Sequence, residues 1–173
     1  MSQNLMSSSN PSLSHFNENG EASMVDVGGK EITERCAIAS CEIQMKPETF
    51  QLLQGGRLKK GDAFTVAKIA GILAAKRTAE LIPLCHPLPL EHIEIHFLNR
   101  PHGDGVVIES EVRTTAKTGV EMEALTSTMV TALTIYDMAK SYDPAMVITN
   151  LHLVKKTGGK SDFYDQSWNH NGK

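Results

Sequence analysis

The sequence predicts an α+β fold of the ferredoxin-like, split βαβ kind, with an antiparallel sheet and two main helices on one face. Two observations carry that prediction. Apolar residues recur at period two in four segments and at spacings of three and four in two others. Their order is strand, helix, strand, strand, helix, strand, the βαββαβ arrangement. Glycine and proline signals fall between the segments and separate them.

The first strand is expected from Arg35 to Met45, where Ala37, Ala39, Cys41, Ile43 and Met45 alternate onto one side. A short segment over Pro47 to Leu53 stops at Gly55-Gly56. Asp62 is placed to cap the first long helix, whose buried stripe should use Phe64, Ala67, Ala70 or Gly71, Ala74 and Ala75, with Pro83 closing it. Gly71 inside that helix costs roughly 1 kcal/mol relative to Ala, so another backbone is expected to pack closely there. Two strands follow, Glu91 to Leu98 and Gly105 to Thr115, joined by the turn-forming His102-Gly103-Asp104-Gly105. The second long helix runs from about Val120 to Ser141, with Met122, Leu125, Met129, Leu133 and Tyr136 as its expected stripe, and Pro144 ends it. The last strand spans Met146 to about Val154. Ile, Val and Leu on more than one side of the strands imply that the sheet's second face is covered by another subunit.

At 173 residues the chain has the length of one domain. The expected division is a disordered tail over 1–16, a single domain over 17–163 and a polar tail over 164–173. Seventeen Lys and Arg against 20 Asp and Glu leave a net charge of −3, which is no footprint for non-specific nucleic-acid binding. The longest apolar run, Ile69 to Ala75, is seven residues, against the 20 or so that a membrane helix needs. Three cysteines, Cys36, Cys41 and Cys85, argue against a disulfide framework and for a reducing, cytoplasmic setting.

Four segments carry residues suited to chemistry. In Leu81-Ile82-Pro83-Leu84-Cys85-His86-Pro87-Leu88, two prolines stiffen the backbone around His86, and Cys85 and His86 point opposite ways, which disfavours a shared metal. In Lys117-Thr118-Gly119-Val120-Glu121-Met122-Glu123, two carboxylates open a helix, where the helix dipole favours them whatever their role. Asp137 and Lys140, three apart on one helix face beside Leu133 and Tyr136, form either a surface ion pair or a partly desolvated acid–base pair. Cations cluster at Arg57, Lys59 and Lys60, at Lys76 and Arg77, and at Lys155, Lys156 and Lys160 around a Gly-Gly turn able to hold phosphate oxygens. Gly159-Lys160-Ser161 is not a P-loop, because Val154 stands where the pattern needs glycine.

Long strings such as Leu81-Ile82-Pro83-Leu84-Cys85-His86-Pro87-Leu88 and Lys117-Thr118-Gly119-Val120-Glu121-Met122-Glu123-Ala124-Leu125-Thr126, with Lys60-Gly61-Asp62, Ala132-Leu133-Thr134-Ile135-Tyr136-Asp137-Met138 and Gly158-Gly159-Lys160-Ser161, closely resemble the molybdenum-cofactor biosynthesis protein C family, the cyclic pyranopterin monophosphate synthases. The likeness covers roughly Asn17 to Phe163. It implies a lyase that converts 3′,8-cyclo-7,8-dihydroguanosine 5′-triphosphate to cyclic pyranopterin monophosphate and pyrophosphate by acid–base chemistry. It requires no redox cofactor; Mg²⁺ is admissible only as a companion of the triphosphate, since the chain has no all-protein cage for it. It also implies a homohexamer, a trimer of dimers with the pocket at the dimer interface. Position by position, the resemblance assigns acid–base roles to Lys60, His86, Asp137 and Lys140. Leu84, Cys85, His86, Met122 and Glu123 match substrate-binding segments, Glu121 the polar shell, and Asp26, Arg35, Lys156 and Lys160 the charged margin. A lysine among other cations in a dry pocket is expected to have a lowered pKa. A competing class, an RNA-binding module of the same fold, stacks bases on sheet aromatics, of which the strands offer only Phe97.

Overall fold

The computed structural model describes residues 21–166. The expected tail over 1–16 and most of the C-terminal tail lie outside them. The elements in chain order are β1 (Thr33–Gln44), α1 (Pro47–Gln54), α2 (Ala63–Lys76), α3 (Thr78–Leu81), β2 (His92–Asn99), β3 (Gly105–Ala116), α4 (Glu121–Ala139), β4 (Val147–Thr157) and β5 (Phe163–Tyr164). The sheet order is β2-β3-β1-β4-β5, with every pairing antiparallel. β3 is thus inserted between β1 and β2, which is the split βαβ arrangement the sequence predicts. β5 adds a two-residue edge strand, Tyr164 pairing with Lys155.

Alternation in β1 holds: Ala37, Ala39, Cys41 and Ile43 are fully buried under the helices, and Met45 nearly so. Asp62 caps α2 by accepting from the backbone N–H groups of Phe64 (3.0 Å) and Thr65 (3.2 Å). α2 then ends earlier than Pro83, at Lys76, and α3 is a separate turn. The buried Thr78 hydroxyl donates to the carbonyls of Ala75 (3.0 Å) and Ala74 (3.4 Å), offering the helix end a side-chain partner where a continued helix would supply backbone N–H groups.

The expected stripe of α4 is the wrong face. Leu133 is 50% exposed and Met122 37%, whereas Ala124, Ser127, Thr128, Thr131, Ala132 and Ile135 are buried. Close packing decides this, since small residues let α4 approach both the sheet and Gly71 of α2. The Thr128 and Thr131 hydroxyls are satisfied by the carbonyls of Ala124 and Ser127, each at 2.8 Å, so they tolerate burial. Along α2 the buried face runs Ala63, Ala67, Gly71, Ala74 and Ala75, leaving Val66, Ile69 and Leu73 exposed.

The uncovered sheet face is more polar than expected, although it keeps some apolar side chains. In register, Glu94 lies opposite Glu111, His96 opposite Glu109, His92 opposite Arg113 and Ser40 opposite Glu109. Polar and charged residues dominate it, with Ile38, Leu98, Val107 and Val147 among them, and exposed apolar side chains occur both on the helices (Val66, Ile69, Leu73, Leu133) and on the strands (Leu98, Val147). Period-two patterning shows which strand residues are apolar but not which face each strand turns to the helices. No helix among the described residues is long and apolar enough to cross a membrane.

Candidate active site

Antiparallel register gathers distant cations at one end of the sheet. The start of β1 meets the end of β3 (Thr33 with Ala116) and the end of β4 (Cys36 with Thr157). Lys30, Arg35, Lys117, Lys156 and Lys160 therefore line one cleft of about 160 Å³ with Cys36, Gly119, Glu121, Thr157, Gly159 and Ser161. Five cations face a single carboxylate, in a chain whose net charge is −3. That imbalance suits an anion with several charges. The Arg35 guanidinium is fixed by donating to the carbonyls of Ala116 (3.3 Å) and Lys117 (3.4 Å). Lys156 Nζ lies 3.4 Å from Glu121 Oε1. Gly158, at φ +91°, crosses so close to β1 that a Cβ would strike the Glu34 carbonyl, so only glycine permits this turn. Across Arg35, Cys36 and Thr157 lies a second cleft of about 460 Å³, whose wall includes Glu34, Glu91, His92 and Arg113.

His86 and Glu123 meet in a third cleft of about 320 Å³, with Lys76, Arg77, Pro87 and Pro89 in its wall. Glu123 is only 4% exposed. Burial pushes its carboxyl up to about 7, a backbone hydrogen bond pulls the other way, and the Glu121 carboxylate adds to the rise. Leu84 and Cys85 are half-buried in the same loop, and burial, then Glu123, raises the Cys85 thiol. Met122, adjacent to Glu123 on α4, is 37% exposed.

A raised carboxyl pKa means that the folded protein binds a proton that the unfolded chain has released, so stability should fall as pH rises from about 5 through 7. Glu123→Gln is neutral throughout that range. Its melting midpoint is expected to change less between pH 5 and pH 8 than the parent's. Equal slopes in the two proteins would show that Glu123 is already ionised at pH 5.

The remaining cluster sits at the other end of α4. Lys60 Nζ donates to Asp137 Oδ2 at 2.9 Å and to the Asp137 carbonyl at 2.8 Å, while Lys140 Nζ meets Oδ1 at 2.8 Å. One carboxylate thus bridges two ammonium groups. Hydrogen bonds from Lys140 and then Lys60 hold Asp137 down at about 2, and its carboxylate raises Lys140. The pair is not desolvated in a single chain: the side chains of Asp137 and Lys140 are 56% and 54% exposed. The expected lowering of a lysine pKa is therefore reversed at Lys140, because its immediate neighbour is an anion rather than other cations.

The structure thus brings Lys60, Asp137 and Lys140 together, Arg35, Glu121, Lys156 and Lys160 together, and His86 with Glu123. It does not join the first group to the others, since Glu121 and Asp137 stand about 24 Å apart along α4, which rises about 1.5 Å per residue. Asp26 lies in an exposed turn, accepting from the Gly28 N–H at 2.7 Å. Lys30 escaped the sequence reading, whereas Lys117 stood in a segment singled out there but was given no role of its own. Among the described residues no cluster of three or more His, Cys, Asp or Glu is placed to hold a metal.

A profile of the MoaC family matches residues 24–159. The chain is 54% identical over 154 residues to the cyclic pyranopterin monophosphate synthase of Pelotomaculum thermopropionicum, covering 89% of this chain and 91% of that one. It is 52% identical over 153 residues to the enzyme of that name from Dinoroseobacter shibae, covering 88% and 97%. Against that of Heliobacterium modesticaldum it is 53% identical over 152 residues, covering 88% and 96%. With the family profile spanning most of the described residues and such relatives matched almost end to end, the chain belongs to the MoaC family.

Proposed function

We propose that the protein is a cyclic pyranopterin monophosphate synthase, a lyase of molybdenum-cofactor biosynthesis. It converts 3′,8-cyclo-7,8-dihydroguanosine 5′-triphosphate to cyclic pyranopterin monophosphate with release of pyrophosphate. The observation that carries this reading, beyond the kinship, is the cleft of five cations around Arg35 and Lys156. At about 160 Å³ it is smaller than the roughly 300–1,000 Å³ of whole-ligand sites, and so has room for phosphate groups rather than a complete nucleotide. An RNA-binding role is disfavoured, because Phe97, the one Phe, Tyr or Trp of the four long strands, packs on Phe64 at 4.9 Å between ring centroids under the helices, and the other strand aromatics, Phe163 and Tyr164, form only a two-residue edge strand.

In this reading Arg35, Lys156, Lys160 and His86 hold the triphosphate and the leaving pyrophosphate. Leu84, Cys85, Met122 and Glu123 shape the ring site, with Asp26 and Glu121 at its polar margin. Lys60 and Lys140 exchange protons with the substrate during ring opening and pyranopterin closure, while Asp137 fixes both ammonium groups and takes part in the transfer. No electrons enter or leave overall, so no redox cofactor is required.

The site is completed by a second copy. Lys60, Asp137 and Lys140 lie about 24 Å along α4 from the phosphate cleft, so one chain cannot present both to one substrate. A homohexamer, a trimer of dimers, supplies the partner. The exposed Val66, Ile69, Leu73 and Leu133 are surface that an assembly would cover. Free thiols at Cys36, Cys41 and Cys85 support a cytoplasmic setting.

The purified protein is expected to turn over the cyclic triphosphate without reductant or S-adenosylmethionine, giving one pyrophosphate per product detected by mass. An absolute need for an added redox cofactor would overturn the assignment. Arg35→Ala and Asp137→Asn should each be inactive alone. Co-expressed, they should regain about a quarter of parental activity, because half the dimers are mixed and each mixed dimer has one intact site. No regain from variants that fold and assemble like the parent would place the whole site within one copy.

A further inference from the structure

One wall of the cation cleft is built by the segment that precedes β1. Residues 26–30 fold as a tight turn, in which the Gly28 N–H donates to Asp26 Oδ1 at 2.7 Å and the Lys30 N–H to the Val27 carbonyl at 3.1 Å. The turn is fastened to the sheet from 89 residues away in sequence, by Lys117 Nζ donating to the Gly28 carbonyl at 2.6 Å. Lys117 immediately follows β3, and its own carbonyl accepts from Arg35 Nη2 at 3.4 Å. One residue therefore holds two parts of the cleft: its side chain holds the turn carrying Asp26 and Lys30, and its backbone holds Arg35. Lys30 and Lys117 both line the cleft. An ammonium has three donors, so the group that grips Gly28 still has N–H bonds to present to an anion.

We propose that Lys117 is a positioning residue that clasps the 26–30 turn against the sheet. A polyphosphate then meets Lys30 and Arg35 already in place. The proposal rests on the reading of this cleft as the phosphate site of the synthase. Its physical basis is preorganisation: backbone ordered before binding costs no affinity, whereas a turn ordered only on binding subtracts its conformational entropy from the interaction. Asp26, in the same turn, is held by the same clasp.

The test compares the parent with Lys117→Met, which keeps most of the aliphatic stem and loses the donors, and Lys117→Arg, which keeps donors. Inorganic tripolyphosphate binding is measured by calorimetry, amide hydrogen exchange is followed over residues 26–30, and KM is separated from kcat. For Lys117→Met, tripolyphosphate affinity should fall about tenfold and exchange in the turn should quicken. The loss should appear mainly in KM rather than kcat, and Lys117→Arg should recover most of it. Unchanged exchange in Lys117→Met overturns the clasp even if affinity falls, because Lys117 would then act only as a direct charge. A loss confined to kcat overturns it too. A parent protein that neither turns over the cyclic triphosphate nor binds tripolyphosphate would defeat the underlying reading, while the exchange data would still report on the clasp itself.

Discussion

Asp137→Asn should lower turnover by about 10²–10⁴-fold, the usual contribution of a group acting in acid–base chemistry, with the melting midpoint unchanged. The side chain is more than half exposed, so the screened ion pairs of its charge contribute little to the fold. The chemistry depends on that charge. Each carboxylate oxygen accepts from a different lysine, at 2.9 Å from Lys60 and 2.8 Å from Lys140. Asparagine has one acceptor oxygen, and its amide would turn donors toward the second ammonium. The phosphate-binding cations lie at the other end of α4 and should still bind inorganic tripolyphosphate. The pH dependence adds a second readout. Asp137, held at about 2, is ionised throughout the working range and is not the source of an acidic limb above about pH 4. Its carboxylate raises Lys140, so losing it should move any basic limb due to Lys140 toward lower pH in the residual activity. Turnover within about threefold of the parent, less than 1 kcal/mol of barrier, would make Asp137 structural.

Gly71→Val should cost about 3 kcal/mol or more by overpacking, lowering the melting midpoint by about 6–12 °C in a chain of this size. A Cβ on Gly71 would collide with Thr131 Oγ1 and come within 2.6 Å of Ile95 Cδ1 and 3.0 Å of the Ser127 carbonyl. Those atoms belong to α4 and β2, so the collision falls where helix, helix and sheet meet. Thr131 has little room to yield, because its hydroxyl is committed to the Ser127 carbonyl at 2.8 Å. Gly71→Ala should also destabilise, by less, since alanine regains about 1 kcal/mol of helix propensity. A melting midpoint for Gly71→Ala at or above the parent's would show that the helices have space to separate there.

Gly71 also shows how much of the fold was legible. A glycine in an otherwise strong helical pattern implied a close neighbour, and α4 is that neighbour. The same local logic read the alternation of Ala37, Ala39, Cys41 and Ile43 and the Asp62 cap, because strand period and capping are properties of a few adjacent residues. Local logic misread α4. The longest apolar side chains were assigned to the core, whereas the tight helix–helix and helix–sheet contacts demanded Ala, Ser and Thr and left Leu133 outside. Size fit outweighed hydrophobicity there.

By itself the sequence determined the order of elements, the proline-framed loop around His86, the chemical types of the candidate site and its family resemblance. All of these reside in short strings whose meaning does not depend on distant partners. Only the tertiary structure decided which of those residues meet. Lys60 reaches Asp137 across 77 residues because α2 and α4 pack side by side. Lys30, Arg35, Lys117 and Lys156 converge because antiparallel register sets the start of β1 beside the ends of β3 and β4. Periodicity reports which way a side chain faces relative to its neighbours in sequence, whereas a site is a set of distances between segments that only packing and register define.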